Sequence, residues 1–211
     1  MAVENKILKY AAIDSGAKAV GLLLCNVVEE HGVVHFKKSE LVRIPLRLGE
    51  DVFRAGKISE EKSERFIKTM RAFKLLIDVF EPVSYRACAT ASMRESINGK
   101  DLIEKVRKAC GLQIEIITGK AEAELIYANH VEEFLSNDHS YLYIDVGGGS
   151  TELTIFDKKE IVASNSFNVG TIRWLEEKVS VQEWEAMKTW TRDTTIHHQP
   201  ITPIGASGNI N

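Results

Sequence analysis

The sequence predicts an α/β protein, and three observations carry that reading. Apolar strand-like runs alternate with stretches of helical periodicity from one end of the chain to the other. One unit occurs twice, over residues 9–28 and 141–156: an apolar strand, an Asp at its end, a glycine-bearing turn and a second apolar strand. With 211 residues, 44% of them hydrophobic and 27% charged, the chain can bury a core sufficient for one large domain or two small lobes.

The elements follow in order. Residues 9–14 read as a strand ending in Asp14, residues 15–18 as a turn, and residues 19–28 as the second strand of a hairpin. A third strand is expected over 32–43, and residues 47–56 are expected to be a loop. Ser59 is placed to cap a helix reaching Phe80, because Phe66, Ile67, Met70, Phe73, Leu76, Ile77 and Phe80 recur at helical spacing. Pro82 ends that helix. A strand over 83–89 follows, then a turn at Asn98 and Gly99, with Asp101 capping a helix that reaches Cys110. Residues 113–117 are a further strand and 122–135 a helix. After the hairpin of 141–156 come a strand over 161–168, an amphipathic helix carrying Trp184, Met187 and Trp190, and a last strand running into the glycine turn at Gly205.

The second hairpin carries the chemistry. Its tip, Gly147, Gly148, Gly149, Ser150 and Thr151, is built of backbone and hydroxyl groups, and glycine lets an anion approach the chain closely or take positive φ. Consecutive N–H groups there would form a nest for phosphate oxygens. Asp145 before the tip and Glu152 after it are carboxylates suited to Mg²⁺ or to positioning a water. Asp14, Gly16 and Lys18 occupy the matching places of the first hairpin, so the two tips would grip one phosphate from opposite sides.

Composition narrows the partners. A net charge of -3 with no basic stripe argues against nucleic acid. No apolar run approaches the roughly 18 residues of a membrane span, and the N-terminus lacks the apolar core of a signal peptide. Cys25, Cys88 and Cys110 stand far apart, as reduced thiols do. A cytoplasmic location is the expectation.

Three segments together resemble the actin-like ATPase superfamily: Asp14 with its glycine turn, Asp145 with Gly147–Gly149, and Gly205 with Gly208. Within it, the run Asp145-Val-Gly-Gly-Gly-Ser-Thr-Glu152-Leu resembles the second phosphate loop of exopolyphosphatases and guanosine pentaphosphate phosphatases, the Ppx/GppA family. Residues 89–98, which include Arg94, resemble that family's arginine segment, and residues 116–127, which include Glu122, its catalytic-glutamate segment. The segment 169–173 resembles a further signature. The resemblance implies a ribonuclease H-like fold with a first lobe over 1–130 and the beginning of a second over 131–211. It implies Mg²⁺-dependent hydrolysis of terminal phosphoanhydrides of polyphosphate or pppGpp. Glu122 would then be the general base, with Arg94 clamping phosphate. Asp14, Asp145 and Glu152 would hold Mg²⁺; Gly16, Lys18 and residues 147–151 would cradle phosphate. It also implies a homodimer.

The chain departs from the family pattern in the first loop. There Ser15, Gly16, Ala17, Lys18 and Ala19 replace the usual hydroxyl- and amide-rich sequence, and Gly21 stands where Arg is common. Ala121 replaces one of two consecutive acids, and Ser207 one of the last glycines. Family members also continue beyond this point, so the second lobe is expected to be incomplete. Two other readings therefore stand beside hydrolysis: a non-catalytic binder of guanosine nucleotides or polyphosphate, and an ATP-dependent member of the wider superfamily.

Overall fold

A computed structural model describes residues 7–30, 33–127 and 135–206. The first sheet begins with β1 (Ile7–Ser15), β2 (Val20–Glu30) and β3 (Val33–Ile44), an antiparallel meander. The parallel strands β4 (Ser84–Ala89) and β5 (Glu115–Ile116) complete the order β3-β2-β1-β4-β5. Period-two alternation decides what each strand contributes. Ala11, Ile13 and Ser15 turn into the core, while Ala12 and Asp14 face the other way.

Between β3 and β4 the chain makes α1 (Leu48–Ala55) and α2 (Glu60–Phe80); between β4 and β5 it makes α3 (Ala91–Glu95) and α4 (Gly99–Cys110). Ser59 caps α2 by accepting from Lys62 N–H, and the expected stripe buries Phe66, Met70, Phe73 and Ile77. These meet Leu102 and Val106 of α4 over Ala11, Ile13, Leu22 and Leu24 of the sheet. Phe73 is 1% exposed. Phe73→Ala is expected to lower unfolding stability by about 3–5 kcal/mol, read as a shift of the urea midpoint at unchanged slope.

Two expectations are corrected here. Residues 47–56 are mostly helix, not loop: Leu48, Val52 and Phe53 fall on one buried face, and Gly56 closes α1 at φ 74. Asp101 does not cap α4; it lies in the first turn of a helix that begins at Gly99. Asn98, at the cap position, bonds sideways to both the N–H and the C=O of Ile58, tying α4 to the α1–α2 connection. Gly99 is required because a Cβ there would lie 2.1 Å from the carbonyl oxygen of Met93.

α5 (Gly119–Tyr127) follows β5; the expected continuation of this helix over 128–134 lies outside the described residues. The second sheet has the order β8-β7-β6-β9, from β6 (Ser140–Val146), β7 (Thr151–Asp157), β8 (Glu160–Phe167) and β9 (Ile201–Ala206). Its strand order and directions repeat β3-β2-β1-β4. Even the register repeats: Asp14 pairs with Gly21, and Asp145 with Glu152. α5 packs on β7 and β8. On the other face, Trp184, Met187 and Trp190 of α7 (Val181–Thr195) pack against Leu153, Phe167 and Val169. The short α6 (Thr171–Leu175) reaches back to α1. Gly205 ends the described part of the glycine motif; Ser207 and Gly208 lie outside the described residues. No described helix is long and apolar enough to cross a membrane.

Candidate active site

The tips of the two repeated hairpins touch. A Cβ on Gly148 would stand 2.9 Å from Cβ of Ala17, and one on Gly149 would stand 2.5 Å from the Phe53 ring and 3.0 Å from Ala91 Cβ. The tri-glycine run therefore exists for close approach to the first lobe's elements. None of Gly147, Gly148 and Gly149 takes positive φ; the positive-φ glycines among the described residues are Gly56 and Gly111. The expected positive φ is therefore not what these glycines supply; they form a tightly packed bend.

Its backbone is oriented by α6. Thr171 N–H donates to Gly147 C=O at 3.0 Å, Ile172 N–H to Gly148 C=O at 2.9 Å, and Arg173 Nε–H to Gly149 C=O at 2.9 Å. A trans peptide points its N–H opposite to its C=O. Binding these three carbonyls turns the N–H groups of Gly148, Gly149 and Ser150 to the side away from α6. The hydroxyls of the tip already have partners within the protein. Ser150 bonds the Glu152 carboxylate, and Thr151 donates to Val169 C=O from a buried position.

The carboxylates gather on one side. Asp145 and Glu152 are directly opposed on β6 and β7, a pairing that sets Cβ atoms about 5 Å apart. Ser166, next in the row on β8, donates to Glu152 Oε1 at 2.8 Å. Glu152 is buried, which pushes its carboxyl up; Ser150, Ser166 and Arg94 offset part of this and Asp145 adds to it. Asp14 is exposed at the end of β1, and the surrounding protein still desolvates it enough to raise its pKa. Arg43 opposes that rise, and the Asp145 charge reinforces it.

Glu122 stands in the first turn of α5. Burial, then the charges of Glu152, Asp14 and Asp145, push its carboxyl up to about 8, with Arg94 alone pulling down. Its Oε2 is buried with no hydrogen-bond partner. Arg94, half-buried on α3, donates to Ile117 C=O at 2.8 Å. It lies within electrostatic reach of both Glu122 and Glu152. The structure thus gathers Asp14, Asp145, Glu152, Glu122 and Arg94 into one electrostatically coupled group.

Gly16 closes the first hairpin through N–H to Ala19 C=O at 3.1 Å. Lys18 beside it is partly buried, and its ammonium pKa is lowered by that burial and by the nearby Arg43 cation. Sequence reasoning missed Arg43. It pairs with Gly21 on β2, which pairs with Asp14 on β1, and its positive charge reaches Asp14 along that row. A cation thus approaches the first loop from a neighbouring strand, although position 21 itself carries none.

This arrangement can hold an anion against backbone N–H groups, present a buried carboxylate to a water, and attract a cation. The profile of the Ppx/GppA phosphatase family matches residues 27–193. The chain belongs to the Ppx/GppA phosphatase family. An exopolyphosphatase from Cytophaga hutchinsonii superposes with a TM-score of 0.78 at 26% identity, over 95% of this chain and 67% of that one. The Aquifex aeolicus member of the Ppx/GppA family gives 0.74 at 25% identity, over 96% and 67%. A bifunctional 3-dehydroquinate synthase/phosphatase from Fusobacterium nucleatum is 30% identical over 177 residues, 82% of this chain and 26% of that protein. The chain therefore spans about a quarter of that relative. The fold is the actin-like α/β fold that the two loops implied.

The expected Mg²⁺ can be tested against these residues. Among the described residues no three of His, Cys, Asp and Glu converge as a metal shell. Mg²⁺ is commonly held by one or two carboxylates, waters and substrate phosphates rather than by a protein cage. Asp14 and Asp145, mutually repelling oxygen donors, fit such a role.

Proposed function

We propose that this Ppx/GppA family protein hydrolyses the terminal phosphoanhydride of polyphosphate-type substrates, with Glu122 as general base. The observation that carries the reading is the Glu122 carboxyl: its pKa is raised to about 8, its Oε2 is buried and unpartnered, and Arg94 and three other carboxylates are within electrostatic reach. Burying an unpartnered carboxylate oxygen costs stability, and a group tuned near working pH is what proton abstraction from water needs.

The terminal phosphoryl group is received by the N–H groups of Gly148, Gly149 and Ser150 and by the Arg94 guanidinium, with Lys18 and Arg43 adding positive charge from the first hairpin. Water attacks phosphorus in line. One water proton passes to Glu122, the new P–O bond forms, and the bond to the bridging oxygen breaks. That oxygen keeps the electron pair and leaves with the shortened chain. Bound through Asp14 and Asp145, Mg²⁺ would neutralise phosphate charge. The Ser150 and Thr151 hydroxyls shape the loop, and of these two residues the Ser150 N–H is what serves the ligand.

The test is phosphate release from long-chain polyphosphate and from pppGpp, measured side by side with Mg²⁺ and with EDTA. Mg²⁺-dependent release is the expected result. A folded protein that releases phosphate from neither substrate would overturn the proposal.

A further inference from the structure

One residue of β8 touches both the carboxylate beside the base and the helix that carries the base. Ser166 is third in the cross-strand row Asp145, Glu152, Ser166. Its hydroxyl donates to Glu152 Oε1 at 2.8 Å. The same side chain lies against Gly119, the first residue of α5: a Cβ on Gly119 would stand 2.5 Å from Ser166 Oγ and 2.7 Å from Ser166 Cβ. Rotating the hydroxyl could relieve the first contact only by breaking the bond to Glu152, and no rotation relieves the second. Glu122 is tied to that point. Thr118 C=O accepts from Glu122 N–H at 2.9 Å, and the Thr118 hydroxyl accepts from Ala121 N–H at 3.1 Å, which closes Gly119 and Glu122 into one turn. The height of Gly119 above β8 therefore sets where Glu122 stands relative to Glu152. After burial, the Glu152 charge is the strongest influence on the Glu122 carboxyl, as their closeness requires.

The internal repeat shows what the position demands. The matching row of the first sheet is Asp14, Gly21 and Arg43, and there the third place holds a long, exposed side chain. In the second sheet α5 packs over β7 and β8, so the third place admits only a short one. Alanine would fit the space as well; what serine adds is the bond to Glu152. We infer that Ser166 is a positioning residue for hydrolysis: one short side chain orients Glu152 and sets the spacing between Glu152 and the base Glu122. The inference rests on the hydrolytic reading and deepens it by naming what holds its two buried carboxylates in register.

The test measures kcat and KM for phosphate release from long-chain polyphosphate with Mg²⁺. It compares wild type, Ser166→Ala, Ser166→Gly, Gly119→Ala and the double variant Gly119→Ala/Ser166→Gly, with urea titration to check that each is folded. Ser166→Ala is expected to lower kcat about tenfold at unchanged KM, as the loss of one hydrogen bond to a carboxylate implies. Gly119→Ala must lift the turn by about 1 Å to restore ordinary contact, and a displacement of that size is expected to lower kcat about a hundredfold. Ser166→Gly removes both atoms in the way, so the double variant is expected to return to the kcat of Ser166→Gly alone. A general loss of packing would not give that recovery. Wild-type kcat in both Ser166→Ala and Gly119→Ala would overturn the positioning role, while continued release by wild type would spare the hydrolytic reading. A double variant whose loss is the product of the two single losses would overturn it equally, as would a rise in KM at unchanged kcat. A folded wild type that releases no phosphate would remove the hydrolytic reading, and the positioning role with it.

Discussion

Glu122→Gln is expected to abolish phosphate release and, at the same time, to make the protein harder to melt at pH 8 and above. The loss of rate should be about 10²–10⁴-fold, the worth of a positioned general base. The gain in stability follows from the raised pKa. Folded, Glu122 holds its proton up to about pH 8; unfolded, it releases it near the ordinary glutamate value of 4.5. Between those values the folded state binds more protons than the unfolded one, so this group's contribution falls as pH rises through the window and stays low above it. Glutamine keeps the shape and never ionises. The variant and wild type should therefore melt together near pH 4 and separate by roughly 10 °C or more at pH 8–9, at about 1.4 kcal/mol per unit of pKa difference and about 2–4 °C per kcal/mol in a domain of this size. Scanning calorimetry across pH reads the gap directly. Added Mg²⁺ should narrow it by favouring the ionised carboxylate. The wild-type kcat/KM should climb with pH on its acid side, because only ionised Glu122 accepts a proton. Full activity in the variant would remove Glu122 as the base. A melting gap of equal size at every pH would show that the group does not titrate there.

The sequence made the carboxylates legible because their positions follow from local rules. Asp14 and Asp145 end apolar strands, Glu152 resumes the strand after a glycine tip, and Glu122 opens a helix. The duplication was readable for the same reason, and the structure repeats it down to the pairing of Asp14 with Gly21 and Asp145 with Glu152. Arg43 was not readable. Its place near Asp14 depends on which residue of β3 faces Gly21, and a register shift at Leu24/Cys25 separates that pairing from the rest of the ribbon. Period-two alternation gives a strand's face but not its register. α1 was missed because eight residues with only Leu48, Val52 and Phe53 on the inner face give too short a period to distinguish from a loop. The tri-glycine run was read as a conformational device, but its cause is contact: Ala17, Ala91 and Phe53 belong to other elements, and no local pattern announces them.

Arg173→Met is expected to be among the most damaging single changes outside the core, by about 2–3 kcal/mol. Arg173 is 9% exposed, and its guanidinium serves three partners that no neutral side chain can replace. Nη2 reaches both oxygens of Glu95 at 2.7 and 2.8 Å, Nε–H holds Gly149 C=O, and the plane lies 4.3 Å from the centre of the Phe53 ring. Those partners belong to α3, the glycine tip and α1, so one residue ties the second sheet's loop to two helices of the first. Removing it leaves the Gly149 carbonyl unpaired, and the cost of such an orphan exceeds the net worth of the bond itself, whereas water can take over the exposed Glu95. Arg173→Lys separates charge from geometry. A point cation can meet Glu95 but cannot reach Gly149 and the ring together, so it should recover less than half of the loss in a urea titration. The Met variant should also bind tripolyphosphate more weakly under conditions where it remains folded, because the Gly149 carbonyl fixes the direction of the Ser150 N–H. A cost below about 1 kcal/mol, with binding intact, would mean that Gly170 holds the tip by itself. A Cβ on Gly170 would lie 2.5 Å from the backbone of Gly148 and Gly149, so the contact exists without Arg173. Contact alone limits how closely the chains approach and leaves the peptide planes free to rotate; the guanidinium supplies the direction.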